Sequence, residues 1–85
     1  MKISDKRVLA DVAEVLYLDI EELDEHTDLR VQGMDSVRLM QLVDRWRRAG
    51  AKDIDYIVLA EDQRVSRWIE VLAELTIGET VEASD

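Results

Sequence analysis

The stretch Gly33-Met34-Asp35-Ser36-Val37-Arg38-Leu39-Met40 places a serine between an aspartate and an apolar residue, just after a glycine. Glycine, aspartate, then apolar residues at helical spacing read as a turn that becomes a helix, with Asp35 as its N-cap. The Asp35 carboxylate then takes orphan amides of the first turn, and Ser36 becomes the first helical residue with a hydroxyl not needed for capping. A hydroxyl at that place points toward solvent, where the helix dipole favours an attached phosphate. The position suits phosphoryl attachment, against the plainer alternative that Asp-Ser only begins a helix.

Other chemistry-bearing residues are less suggestive. His26 lies in an acidic loop, ten residues before Ser36 and with no G-x-S-x-G element nearby, so a hydrolase triad has no support and a solvated loop histidine is expected. Asp19, Glu21, Glu22, Asp24, Glu25 and Asp28 lack the glycine and spacing of a calcium loop, and read as a solvated acidic face with no metal. Arg45, Trp46, Arg47 and Arg48 look like a fragment of a nucleic-acid patch, yet Trp46 falls on an inward stripe; Trp46 is expected in the core and the arginines on the surface.

The elements that position Ser36 follow from periodicity. After Ser4 as N-cap, Val8, Leu9, Val12, Val15 and Leu16 form one face of a helix over residues 5 to 17. Leu18, Ile20, Leu23, Leu29 and Val31 follow no sustained period, which predicts a long loop packed across the bundle. Ser36 through Ala49 forms the second helix, stopped by Gly50, with Leu39, Leu42, Val43 and Trp46 facing inward. Ile54 to Ala60 is too short for periodicity to decide; a short third helix is expected, because a lone strand would have no partner. Val65, Trp68, Ile69, Leu72 and Leu75 carry a fourth helix to about Leu75, leaving an acidic, frayed tail. The fold class is all-α, in a single domain over 1–85 with an ordered core at about 4–76 and a tail at 77–85.

Composition narrows the function classes. A chain of 85 residues offers one modest core and no large internal cavity. With no cysteine, disulfides, thiolate metal sites and redox chemistry by the polypeptide are excluded. No apolar run approaches the roughly 20 residues of a membrane span, and the N-terminus does not resemble a signal peptide, so a cytoplasmic location is expected. Eleven basic against twenty acidic side chains give a net charge of -9, which disfavours nucleic acid and anionic membrane and favours protein partners with basic surfaces.

The segments GMDSVRLM, LVDRWRRAG and IDYIVLAEDQRVSRW resemble the aryl carrier proteins of catechol siderophore assembly lines, within the acyl and peptidyl carrier superfamily. The resemblance runs from about Leu29 to Leu75. The Asp-Ser pair is shared by many carriers; the Asp-Ser-Val-Arg opening, the Arg-Trp-Arg element and the Leu-Ala before the fourth helix are closer to the aryl subgroup. The resemblance implies a four-helix carrier bundle in which Ser36 bears covalent 4′-phosphopantetheine, whose thiol holds an aryl acid as a thioester. It explains the missing cysteine, because the reactive sulfur belongs to the cofactor. The carrier itself is expected to catalyse nothing. Its partners would be a phosphopantetheinyl transferase, an aryl-acid adenylating ligase and a condensing or amide-forming enzyme.

Because well-known members carry this domain behind an isochorismatase domain, a chain starting at Met1 just before the first helix reads as a free-standing, monomeric carrier. Asp35 is expected to cap the helix, and Arg38 to contact the cofactor phosphate or a partner. Val37 and Met40 lie off the inward stripe, and with Tyr56 and Ala60 they form the expected partner contacts. Two alternatives stand beside this reading: a carrier with acyl or aminoacyl cargo, and an unmodified acidic helical adaptor.

Overall fold

The computed structural model describes residues 3–84, with side-chain surroundings through Glu74. It contains α1 (Asp5–Leu16), a single 3-10 turn (Ile20–Glu22), α2 (Ser36–Arg48), α3 (Tyr56–Glu61) and α4 (Val65–Ser84). No strand occurs among the described residues, as the all-α expectation requires.

Helix α1 starts where Ser4 accepts the Arg7 amide at 3.2 Å, and buries Val8, Val12, Val15 and Leu16. It ends on Tyr17 in the left-handed region at φ 58, with the Tyr17 amide donating to the Glu14 carbonyl and the Leu18 amide to that of Ala13. Helix α2 closes by the same pattern. Gly50 at φ 121 donates to the Arg47 carbonyl, and Ala51 donates to that of Trp46. Glycine is the usual residue for this closure because it has no Cβ to crowd the backbone. A tyrosine in the equivalent place at the end of α1 is unusual.

The long loop packs across the bundle as expected, through Leu23, Leu29 and Met34, all buried. Two of its apolar residues do not join in: Val31 is 79% exposed and Ile20 45%. The loop shapes itself with polar groups. Asp24 accepts from the His26 amide and the Thr27 hydroxyl, Gln32 bonds both backbone groups of Asp24 and the Thr27 carbonyl, and Asp28 pairs with Arg30. Asp24 is exposed and Asp28 half-buried, and both form the loop's own turns and do not merely solvate a face. Two long-range backbone bonds, Leu29 amide to Gln63 carbonyl and Ser66 amide to Glu25 carbonyl, tie the loop to the start of α4.

Trp46 of α2 and Trp68 of α4 are fully buried and meet edge to face, ring centroids 6.0 Å apart. Buried indoles need acceptors. Trp68 donates to the carbonyls of Leu59 and Asp62, and Trp46 donates to the Asp11 carboxylate at 2.8 Å. The core tryptophan was legible in the sequence, and Arg47 and Arg48 are exposed as expected, but the surface assignment of Arg45 needs correction. Arg45 is half-buried and bonds Asp11 and Glu14, while Arg47 donates to the Ile54 carbonyl; only Arg48, paired with Asp44, is a simple exposed ion pair.

Helix α3 starts later than expected, because Asp55 caps it by accepting the Ile57 amide and Ile54 stays outside as a buried anchor. Helix α4 extends to Ser84, past the expected end at Leu75. The added segment has no proline, and its one glycine costs about 1 kcal/mol without stopping the helix.

Candidate functional site

Ser36 is exposed at the first residue of α2. Asp35, extended at φ -137, accepts the Arg38 amide at 2.8 Å with one carboxylate oxygen, so the cap is made by Asp35 and the serine hydroxyl is not spent on it. That bond from the Arg38 amide holds the Asp35 carboxyl below the usual carboxylate range, with the Arg38 charge adding to it. Gly33 permits the approach with φ 108, a conformation that a side chain would strain. An exposed hydroxyl at a helical N-terminus, beside a carboxylate already compensated by a cation, fits a phosphate ester.

Arg38 does not face Ser36. Residues two apart on a helix point about 200° away from one another. The guanidinium turns to α1, where it bonds the Asp35 carboxylate and the Val15 carbonyl and lies over the Tyr17 ring. This arrangement counts against the expected phosphate contact: the side chain is committed within the fold.

The expected partner residues divide between two flanks of α2. Met40 is 62% exposed and, with Val43, Arg47 and the half-buried Tyr56, lines a groove of about 260 Å³ between α2 and α3. Val37 is also exposed, but it borders a groove of about 490 Å³ on the α1 side with Val15, Tyr17, Arg38 and Gln41. Ala60 is partly buried against the core. The apolar surface of α3 instead comes from Ile57, 61% exposed, and Val58, which sequence reasoning missed as exposed contacts. With Asp55 recognised as the cap and Leu59 as the inward residue, a helical wheel would have turned Ile57 outward.

His26 is exposed, and its backbone amide donates to Asp24. Among the described residues, no group of three or more histidine, aspartate or glutamate side chains is arranged to hold a metal ion, and no helix is long and apolar enough to cross a membrane.

Comparison with known proteins gives a consistent picture. The family described as "Phosphopantetheine attachment site" matches residues 6–72. The acyl carrier protein ScoB of Streptomyces coeruleorubidus is 39% identical over 75% of this chain and 74% of its own length. The phenyloxazoline synthase MbtB of Mycobacterium sp. (strain MCS) is 37% identical over 86% of this chain, and an isochorismatase of Bacillus subtilis (strain 168) is 36% identical over 79%. The chain spans 6% and 21% of those two longer relatives. No solved structure gives a significant match.

Proposed function

Because the chain belongs to the phosphopantetheine attachment family, and so is a carrier whose covalent cofactor is 4′-phosphopantetheine and not itself an enzyme, we propose that Ser36 is the attachment site and that the cargo is an aryl acid. The observation that carries the site is the exposed Ser36 hydroxyl at the start of α2, left free by the Asp35 cap. When bound, the cofactor supplies the thiol that forms the thioester. The protein's own residues do the rest. Asp35 starts the helix that presents Ser36, and the core beneath Leu39, Leu42 and Trp46 holds that helix still.

The Asp-Ser-Val-Arg opening and the match to a phenyloxazoline synthase and an isochorismatase support an aryl cargo in siderophore-type assembly. A second reading, an aliphatic or aminoacyl cargo, is favoured by the likeness to an acyl carrier protein over most of that protein's length. The adaptor alternative gives way to the family match. A phosphopantetheinyl transferase, an aryl-acid adenylating ligase and a condensing enzyme are the partners this reading requires. They would dock on the α2–α3 flank, where Met40, Tyr56, Ile57 and Val58 offer apolar anchors in a charged rim.

Intact-mass measurement tests this directly. Incubation with coenzyme A and a broad-specificity transferase should add one phosphopantetheine to the wild type and none to Ser36→Ala, with unchanged helical circular dichroism. Modification of the alanine variant moves the site elsewhere. Loading of the holo form by an aryl-acid ligase, but not by fatty-acyl or aminoacyl ligases, then selects the aryl cargo; the reverse selects the second reading.

A further inference from the structure

We propose that Arg38 is a positioning residue for attachment at Ser36, holding the Asp35 cap from an anchor in the last turn of α1. The inference rests on Ser36 being the attachment site. Its support is an accounting of the α1 C-terminus, where the last carbonyls of a helix lack intrahelical partners. The closing turn takes those of Ala13 and Glu14, and the Arg38 Nε takes that of Val15 at 2.9 Å. A second guanidinium nitrogen donates to the Asp35 Oδ2, while the amide of the same residue donates to Oδ1. Both oxygens of the cap are therefore held by one residue, which is itself bonded to another helix.

Tyr17 completes the brace. It is 86% exposed and sits in the left-handed region, where a glycine would close α1 without steric cost. A tyrosine there gains almost no burial. What it does gain is the Arg38 guanidinium, 5.9 Å from the ring centroid, an attraction of cation to aromatic face. Tyr17 and Val15 hold Arg38, Arg38 holds Asp35, and Asp35 sets the first turn on which Ser36 stands. Compensating the Asp35 charge also lowers the repulsion met by a phosphate brought to the adjacent residue.

The test compares wild type, Arg38→Ala, Arg38→Lys and Tyr17→Gly in the full chain, reading kcat and KM for phosphopantetheine transfer, the Asp35 titration by NMR, and melting temperature. For Arg38→Ala, kcat should fall roughly ten-fold with little change in KM, as for a misplaced nucleophile, and the Asp35 pKa should rise. Lysine should restore little, because a single ammonium lacks the planar fork that spans Val15 and Asp35. Tyr17→Gly should lower kcat by about three-fold while melting temperature stays level or rises, since backbone strain is relieved as the ring contact is lost.

A KM increase with unchanged kcat, rescued by lysine, would overturn the proposal in favour of a charge read by the transferase. Wild-type kinetics in both Arg38→Ala and Tyr17→Gly would reduce the brace to a structural contact. Should the wild type itself gain no mass, the attachment reading fails separately; in the unmodified chain, an Asp35 titration unchanged by Arg38→Ala would still overturn the brace.

Discussion

The two flanks of α2 differ in how much of their contact is bonded. Toward α1 the contact is polar and bonded: Asp11, 8% exposed, accepts from Trp46, Arg45 and Arg7, Glu14 holds the other arm of Arg45, and Arg38 is bonded to Val15. Toward α3 one bond crosses, from Arg47 to the Ile54 carbonyl, and Met40, Val43 and Tyr56 share a shallow groove with Asp44, Arg47 and Asp55, with Ile57 and Val58 exposed beyond it. Directional bonds fix an angle and a register, which apolar contact alone does less well. An exposed apolar surface, by contrast, can meet several partners with small rearrangements. On the proposed reading, the α1 flank places the Ser36 helix and the α3 flank is the surface on which other proteins would dock.

Removing the Asp11 carboxylate should break the bonded flank with the largest effect. Asp11→Ala leaves the Trp46 indole without its acceptor and Arg45 without one of its two partners, a loss of about 2–3 kcal/mol. Melting temperature should fall by roughly 10 °C or more for a chain of this size. A change of only a degree or two would show that the α1 flank is held by apolar packing and that its bonds are incidental.

Breaking the other flank should give the opposite pattern. Met40→Asp and Ile57→Asp replace exposed side chains, so thermal stability should change by less than about 0.5 kcal/mol. Transfer of the loaded group to a condensing enzyme should weaken by about ten-fold, as when an anchor of about 1.4 kcal/mol is lost. Unchanged transfer in both variants, with unchanged melting, would empty the α3 flank of its assigned role.

The smallest effect sharpens the comparison from outside both flanks. In the loop, bonds from Arg30 hold the Asp28 carboxyl down to about 2. A carboxyl depressed in the folded state adds stability above its unfolded value of about 3.9, and that stability is lost as pH falls through the folded value. The Asp28 contribution should therefore persist at neutral pH and vanish between about pH 4 and pH 2. NMR titration should place its midpoint near 2, and Arg30→Ala should move it up toward 3.8. A midpoint already at the ordinary value would mean that the loop's turn is held by its backbone alone.

Much of α2 was legible in one dimension because each signal is local. The Asp35 cap, the Ser36 start, the Leu39–Leu42–Val43–Trp46 stripe and the Gly50 stop all lie within a few residues of what they control. The bonded flank was not legible, since Asp11 and Trp46 are 35 residues apart and a carboxylate within the apolar stripe of Val8, Val12 and Val15 gives no sign of its partner. Tyr17 was missed for a related reason: helix ends are read from glycine or asparagine, and here a tyrosine takes the left-handed position. The α3 surface failed on length. Six residues carry too little period to show that Leu59 faces in and Ile57 out.

The division of α2 into a placing flank and a docking flank is tested most directly by chemical-shift mapping. Isotope-labelled holo carrier is titrated with an aryl-acid adenylating ligase, the proposed loading partner, and backbone amide changes are followed along both flanks. The account predicts the largest changes at Met40, Tyr56, Ile57 and Val58, with Asp11, Val15, Gln41 and Arg45 unmoved. Changes centred on Val15, Gln41 and Arg45, with Ile57 and Val58 silent, would contradict it.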